Sequence, residues 1–284
     1  MAVRGMSLHV GVNKVDSSKY AQHKKELDGC VFDAKDMQRI ALDREFGPAV
    51  LLLDDAATRE AVVDQIKKAA SDLKLGDFFL LTFSGHGSHV KDVHPLDELN
   101  KKDETWCLFD MQMLDDELFG LLAKFEEGVR VLVVADCCFS GNKEGQNELL
   151  HVKALNKLRS LFRPVRPDKF RALPEDLAAI IGQKQSELFE KIQKEEFPEG
   201  KKVNVKARVI LLSACQELQL AKDGKDNGAF TKALKGVWSN GAFDEGYRTF
   251  LDEIKKGLPK SQIPKIRPLG ADDPVFFAQK PFTI

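Results

Sequence analysis

The sequence predicts an α/β layer structure in which a mostly parallel sheet of about six strands carries helices on both faces. Short apolar segments alternate along the chain with segments whose apolar residues recur at helical spacing. Continuously apolar segments are typical of strands that are covered on both faces, as parallel strands are. The chain has 284 residues, 43% of them hydrophobic, which is enough apolar material for a sizeable core.

Apolar segments of strand length occur throughout the chain. The predicted strands are Ser7–Asn13, Val50–Leu53, Phe78–Phe83, Val131–Ala135, Val209–Ala214 and Val275–Phe282. The last of these would close the sheet as an edge strand. Pro281 fits there only because proline, which cannot donate a ladder hydrogen bond, is tolerated near the end of an edge strand.

Amphipathic helices are predicted between these strands. Apolar residues recur every three or four positions in the segments 62–73, 177–192, 230–238 and 247–258. Helices are also expected at Asp33–Leu42 and at Leu114–Phe125, where acidic residues near the start favour a helix N-terminus.

One long segment, 141–205, departs from this alternation and is far longer than an ordinary loop. Its part His151–Arg171 carries seven Lys or Arg residues against one Asp, whereas Pro174–Phe197 has the apolar spacing of a helix. The predicted organisation is one domain in two parts, 1–141 and 206–284, separated by a basic and helical insert at 142–205.

Charge and composition exclude several classes of protein. Basic and acidic residues number 43 and 44, and a net charge of −1 attracts neither nucleic acid nor an anionic membrane. No apolar run approaches the roughly 18 residues of a transmembrane helix, and the N-terminal residues lack the apolar stretch of a secretory signal. The five cysteines fit neither a disulfide framework nor a zinc site, which indicates a reducing, cytoplasmic setting.

Reactive residues follow two of the predicted strands at the point where each strand ends. Ser84-Gly85-His86-Gly87-Ser88 follows one strand, and Asp136-Cys137-Cys138-Phe139-Ser140-Gly141 follows another. Sites in parallel sheets form at this edge, and a cysteine with a nearby histidine can supply a thiolate nucleophile and its general base. The amides of Gly87 and Cys138 would then form an oxyanion hole. The structural alternative is a buried packing cysteine and a hydrogen-bonded histidine.

The same two segments resemble the histidine and cysteine motifs of metacaspases and related caspase-like peptidases. Matching the cysteine motif position by position makes Cys138 the nucleophile and places Cys137 where metacaspases often have serine. The resemblance continues, outside the insert, in Leu27–Asp33, Asp103–Thr105, Leu114–Leu118, Ser213–Cys215 and Asn227–Thr231. It implies a caspase-like three-layer sandwich and a cysteine endopeptidase, a hydrolase of the thiol protease class, with Cys138 and His86 as catalytic residues.

The resemblance to metacaspases also implies cleavage after Arg or Lys. The matching pocket carboxylates are Asp33 and Asp136, with Cys30 and Ser84 in the pocket wall. Two carboxylates suit a guanidinium, which can bind both through charge-assisted hydrogen bonds. Asp33 as a residue that starts the first helix and Asp136 as a turn carboxylate are the structural alternatives.

Calcium is a candidate ligand because many metacaspases bind it near the active site. Asp103, Asp115 and Asp116 match three of the family's calcium positions, but the fourth position is occupied by Gly145. Calcium takes six to eight oxygen ligands, so a missing carboxylate matters. We favour the alternative that Asp115 and Asp116 are first-turn acids of a helix. No cofactor is required for the cysteine chemistry itself.

The insert has a second interpretation once the resemblance is considered. Caspase-like enzymes carry a cleavable linker after the cysteine motif. The basic residues of this insert are the type that an acidic pocket accepts, and they include Lys157, Arg159, Arg163, Arg166 and Arg171. We expect a zymogen whose insert is cut by the enzyme itself or by an upstream peptidase, with proteins or peptides as substrates. The alternative function is a catalytically silent caspase-fold module that docks a partner through the basic insert. Binding of nucleic acid through the insert ranks lower, because base-stacking aromatic residues are lacking.

Overall fold

The computed structural model of the protein describes residues 3–91, 102–137, 169–197, 203–216, 219–270 and 273–284. The strands in these ranges are β1 (Gly5–Gly11), β2 (Ala49–Leu53), β3 (Phe78–Ser84), β4 (Gly87–Lys91), β5 (Lys102–Cys107), β6 (Gln112–Leu114), β7 (Arg130–Asp136), β8 (Arg208–Ser213) and β9 (Lys265–Gly270). The helices are α1 (Cys30–Asp43), α2 (Arg59–Asp72), α3 (Asp115–Leu122), α4 (Glu175–Glu196), α5 (Ala229–Trp238), α6 (Tyr247–Lys256) and α7 (Pro274–Ala278).

The main sheet has six strands in the order β2-β1-β3-β7-β8-β9. Its first five strands are parallel, and β9 pairs antiparallel with β8 at one edge. Residues of β1, β3 and β7 are buried along almost their whole length, which explains their continuous apolar sequences. The predicted α/β class with a mostly parallel sheet is confirmed.

Helices cover both faces of this sheet. On one face, α2 and α3 pack on β1, β3 and β7 around residues such as Leu8, Ile66 and Leu121. On the other face, α1, α5 and α6 enclose a second core that contains Phe230 and Phe250. These two cores make the fold a three-layer sandwich.

The predicted closing strand Val275–Phe282 is wrong. The chain forms the short helix α7 there, because the side chain of Asp273 accepts hydrogen bonds from the amides of Val275 and Phe276 and Pro274 occupies the first turn. The burial of the aromatic residues in this segment does not require a strand, and β9 closes the sheet instead.

A smaller antiparallel sheet of β4, β5 and β6 was not predicted from the sequence. It begins directly after His86, whose carbonyl oxygen accepts a hydrogen bond from the amide of Cys107 at 2.9 Å. These strands are short and do not have the continuous apolar composition of the main sheet. The small sheet fixes the backbone on the carboxyl side of β3.

The register of the main sheet brings the two reactive segments together. Ser84 at the end of β3 pairs with Asp136 at the end of β7. His86 and Cys137 therefore follow neighbouring strands at the same edge. Among the described helices, none has both the length and the apolar composition needed to span a bilayer.

Candidate active site

His86 lies in the turn between β3 and β4 and is 5% exposed. Neither ring nitrogen has a hydrogen-bond partner among the described residues. Burial, with a smaller contribution from His23, lowers the pKa of His86 to about 3. The imidazole is therefore neutral at physiological pH in this conformation.

His23 is a neighbour of His86 that the sequence analysis missed. Its ring meets the His86 ring edge to face, with centroids 5.6 Å apart and planes at 78°. The residue belongs to the segment between β1 and α1, which carries no regular pattern that would have placed it there. It covers the imidazole of His86 in this conformation.

Cys138 and residues 139–141 of the cysteine motif lie outside the described residues, as does Gly145. The last described residue of the motif, Cys137, is buried in the core that contains α2 and α3. Its carbonyl oxygen is 3.5 Å from the Sγ of Cys215, which is also buried. Cys137 is thus a packing residue.

The guanidinium of Arg171, a residue of the insert, is surrounded by the predicted pocket residues. Its Nη2 lies 2.6 Å from Asp33 Oδ2, and its Nη1 lies 2.9 Å from Asp136 Oδ2 and 2.8 Å from Ser84 Oγ. The Arg171 side chain is completely buried. The structure therefore brings Asp33, Ser84 and Asp136 together around a basic side chain of the protein's own sequence.

The structural alternatives for the two carboxylates differ in outcome. Asp33 neither starts nor caps α1, because that helix begins at Cys30 after Gly29, whereas Asp136 does accept a backbone hydrogen bond. Asp33 lies in the first turn of α1, and its Oδ1 accepts a hydrogen bond from the amide of Gly228 at 3.1 Å. Asp136 accepts from the amide and the hydroxyl of Thr231 at 3.1 and 2.7 Å. These hydrogen bonds hold each carboxylate in place, so the local and the pocket contacts are compatible.

A third carboxylate, Asp223, completes the group and was missed in the sequence analysis. Its Oδ1 lies 2.9 Å from Nη2 and 3.2 Å from Nε of Arg171. Its Oδ2 accepts the amide hydrogen bond of Asp28 at 2.8 Å. Its position after β8, the next strand in the sheet, at the same carboxyl edge, was the available signal.

The pocket contains three carboxylates and one guanidinium, all buried, so its formal charge is negative. Burial, together with the charge of Asp33, raises the pKa of Asp136 to about 6, against the opposing effect of Arg171. Burial alone would lower the pKa of Arg171, but the surrounding carboxylates raise it well above its ordinary value. Burial raises the pKa of the Cys30 thiol, and the nearby Arg171 opposes this effect.

The main chain of Arg171 is bound as firmly as its side chain. Its carbonyl oxygen accepts a 2.8 Å hydrogen bond from the amide of Gly87, the predicted oxyanion donor. Its own amide donates to the carbonyl oxygen of Ala221 at 3.1 Å. The residue is thus held between the turn after β3 and the segment after β8.

The segment that follows Arg171 is also anchored. The amide of Leu173 donates to the carbonyl oxygen of Gly87 at 3.0 Å, and its side chain packs with Tyr20, Cys107 and Ile181. Tyr20 donates a 2.7 Å hydrogen bond to the carbonyl oxygen of Leu108. The chain before α1, the segment after Arg171 and α4 therefore pack together beside Gly87.

The three acidic residues considered for calcium lie close to one another. Asp103 on β5 and Asp115 and Asp116 in the first turn of α3 each place one carboxylate oxygen within 4.8 Å of the others. Burial and the neighbouring carboxylates raise the pKa of Asp115 well above its ordinary value. Gln193 of α4 donates a 3.0 Å hydrogen bond to Asp116 Oδ2. Carboxylate oxygens are suitable calcium ligands, but this group alone provides fewer than calcium requires.

Comparison with known proteins gives consistent results. A sequence model of the caspase domain matches residues 10–275. Metacaspase-1 from Meyerozyma guilliermondii is 27% identical over 290 aligned residues, which cover 93% of this chain and 69% of that protein. Metacaspase-5 from Trypanosoma cruzi is 32% identical over 156 residues, covering 49% of this chain and 33% of that protein.

A solved structure is similar over nearly the full length. The crystal structure of protein GSU0716 from Geobacter sulfurreducens has a TM-score of 0.82 and 39% sequence identity, covering 99% of this chain and 98% of that one. Together with the metacaspase relatives, the family match supports a cysteine peptidase activity. The resemblance seen in the sequence motifs is confirmed: the chain belongs to the caspase-domain family.

Proposed function

We propose that this protein is a cysteine endopeptidase that cleaves after arginine or lysine and is made as a zymogen. The observation that carries the proposal is how Arg171 is bound. Its guanidinium contacts three carboxylates, and its carbonyl oxygen accepts a hydrogen bond from the Gly87 amide. A basic residue bound in this way has the arrangement required of the residue before a scissile bond.

The proposed chemistry uses Cys138 and His86. His86 removes the Cys138 proton, and the thiolate attacks the carbonyl carbon of the residue before the cut. The Gly87 amide stabilises the negative oxygen that forms. His86 then gives its proton to the departing amide nitrogen, the C–N bond breaks, and a thioester with Cys138 remains. Water hydrolyses the thioester, which releases a carboxylate and restores the thiol.

The zymogen part of the proposal assigns the activating cut to the Arg171–Ala172 bond. Until this bond is broken, the buried side chain of Arg171 fills the pocket, so the basic side chain of another substrate has no access to it. After cleavage, the segment before the cut is no longer joined to α4 and can dissociate. The first cut can be made by the same molecule or by an upstream peptidase.

The proposal includes no metal in the bond-breaking steps. The acidic group of Asp103, Asp115 and Asp116 is a candidate calcium site, but it belongs to β5 and α3 rather than to the pocket. The chemistry requires a reduced thiol at Cys138. The buried cysteines Cys30 and Cys107 have no disulfide, which is compatible with a reducing, cytoplasmic compartment.

A fluorogenic peptide panel tests the activity. We expect processed protein to cleave peptides that end in Arg or Lys before the reporter and to leave Asp-ended peptides intact, with Cys138→Ala inactive. Cleavage of Asp-ended peptides would overturn the proposed specificity. Activity that persists in Cys138→Ala would overturn the assigned nucleophile, and inactivity on every peptide would favour the silent-module alternative.

Mass spectrometry tests the zymogen. We expect wild-type protein to yield fragments that end at Arg171 and begin at Ala172, whereas Cys138→Ala stays intact when incubated alone. A rate that does not depend on protein concentration would identify cleavage within one molecule. An active enzyme with the intact mass would overturn the requirement for processing.

A further inference from the structure

The segment Lys169–Arg171 is bound through its backbone from one side by the chain after β8. The Arg171 amide donates to Ala221 O at 3.1 Å, and the Asp223 amide donates to Lys169 O at 2.9 Å. Phe170 and Lys222 form the antiparallel bridge between these two hydrogen bonds. Such pairing accepts any sequence, so specificity must come from the side chains at each position.

Each of the three nitrogens of the Arg171 guanidinium contacts an oxygen of a surrounding side chain. Asp33, Asp136 and Ser84 contact the terminal nitrogens, which the ammonium of a lysine can partly replace. Asp223 contacts Nε as well as Nη2. Nε–H is a donor that lysine does not have, so the contact with Asp223 distinguishes arginine from lysine.

The side chain two residues earlier is also bound by an acid. Lys169 Nζ lies 2.9 Å from Asp28 Oδ2 and donates a 2.7 Å hydrogen bond to the carbonyl oxygen of Glu26. The Lys169 and Asp28 side chains are 40% and 39% exposed, so water screens the pair and its contribution is modest.

One residue connects the two positions. Asp223 Oδ1 binds the guanidinium of Arg171, while its Oδ2 accepts the amide hydrogen bond of Asp28 at 2.8 Å. Asp223 therefore also orients the backbone of the residue that binds Lys169. The pocket and the position two residues before it form one connected recognition surface.

We infer that the active site recognises a tripeptide rather than a single basic residue. The residue directly before the cut is an arginine, which Asp223 selects over lysine. The residue two positions earlier is a lysine or arginine, which Asp28 selects. This inference rests on the proposed function, since it treats Lys169–Arg171 as bound in the manner of a substrate. The preferred substrate class is a peptide with two basic residues separated by one residue.

The test uses three fluorogenic peptides, Lys-Phe-Arg, Ser-Phe-Arg and Lys-Phe-Lys, with processed wild-type protein and the variants Asp28→Asn and Asp223→Asn. Asp226→Asn is the matched control, because Asp226 is an exposed acid of the same loop as Asp223. The readout is the ratio of kcat/KM values between two peptides measured on one preparation. A ratio does not depend on how much of that preparation is folded or processed.

We expect wild-type protein to prefer Lys-Phe-Arg over Ser-Phe-Arg by about two- to fivefold, and Asp28→Asn to bring this ratio to about one. We expect wild-type protein to prefer Lys-Phe-Arg over Lys-Phe-Lys by about tenfold or more, and Asp223→Asn to reduce this ratio about tenfold. Asp226→Asn should leave both ratios at their wild-type values.

Two kinds of failure are distinguishable. Equal cleavage of Lys-Phe-Arg and Ser-Phe-Arg by the wild-type enzyme would overturn the proposed role of Asp28. An unchanged preference for Lys-Phe-Arg in Asp28→Asn would do the same. Equal cleavage of Lys-Phe-Arg and Lys-Phe-Lys overturns the role of Asp223. These results leave cleavage after basic residues intact, whereas failure to cleave any of the peptides overturns the proposed function and this inference together.

Discussion

Arg171 contacts Asp136 at two places: its Nη1 lies 2.9 Å from the carboxylate Oδ2 and 3.1 Å from the main-chain oxygen. Arg171 belongs to the insert, whereas Asp136 ends a central strand of the sheet. The ion pair therefore joins the segment proposed for cleavage to the core of the fold. It ties Arg171, within the described part of the insert, to the folded domain.

Removal of the Arg171 charge should destabilise the unprocessed protein. In Arg171→Gln, the buried carboxylates of Asp33, Asp136 and Asp223 lose their common cation, and the expected loss is about 3–5 kcal/mol of unfolding free energy at pH 7.5. Urea denaturation of the Cys138→Ala background measures this loss without self-cleavage. Lys169→Gln, which removes an exposed cation of the same segment, should change stability by less than about 1 kcal/mol. Equal effects of the two substitutions would contradict a buried ion pair at Arg171.

Asp136 should make the protein less stable as the pH rises through its folded pKa. This pKa is about 6, above the ordinary value of 3.8. The folded state therefore binds more protons between these values, and the contribution to stability is complete below pH 3.8 and lost as the pH passes 6. Asp136→Asn should remove this part of the pH dependence. Denaturation curves at pH 4, 5, 6 and 7 give the unfolding free energy of the Cys138→Ala background with and without Asp136→Asn. If this free energy had the same slope against pH in both proteins, the raised pKa of Asp136 would be contradicted.

His9 should have the opposite effect on the pH dependence. It is fully buried between Thr82 and Ser7, with both ring nitrogens at 2.9 Å from the hydroxyls, and burial lowers its pKa to about 3 from 6.5. The unfolded state binds the proton first, so stability is lost as the pH falls from 6.5 towards 3. His9→Gln should take up about one proton fewer on unfolding at pH 5. An unchanged proton uptake in calorimetry would show that His9 is already charged in the folded protein.

Peptide cleavage by processed protein should survive a strong calcium chelator. The proposed reaction uses a thiolate, an imidazole and carboxylates that bind the substrate, and none of its steps requires a cation. Asp103→Asn, which removes one carboxylate of the acidic group, should likewise leave kcat unchanged within about twofold. Loss of activity in chelator, restored by calcium in the wild type but not in Asp103→Asn, would instead establish that group as a calcium site.

The main sheet was predictable because parallel strands covered on both faces have a composition of their own. The continuous apolar runs at Phe78–Phe83 and Val131–Ala135 correspond to β3 and β7. The segment Val275–Phe282 was mistaken for a strand because a short buried helix can be equally apolar. Its helical state depends on the cap formed by Asp273, which the apolar pattern does not reveal.

The candidate site was predictable where residues follow strand ends. Ser84 and Asp136 could be placed together because adjacent parallel strands end at one edge. Asp223 follows β8 at the same edge, a signal that the sequence analysis did not use. His23 could not be placed, because it lies in an irregular segment whose path depends on the folded chain around it.

The sequence by itself determined the α/β class, the order of the five parallel strands along the chain and the edge of the sheet at which the histidine and cysteine motifs begin, since these follow from the apolar strand segments and the residues after them. Only the tertiary structure decided which side chain fills the acidic pocket. Arg171 was one basic residue among several in the insert, and it is distinguished by contacts with residues 35 to 138 positions away in the chain. Burial of a charge is stable only where opposite charges converge on it, and that convergence is a property of the fold.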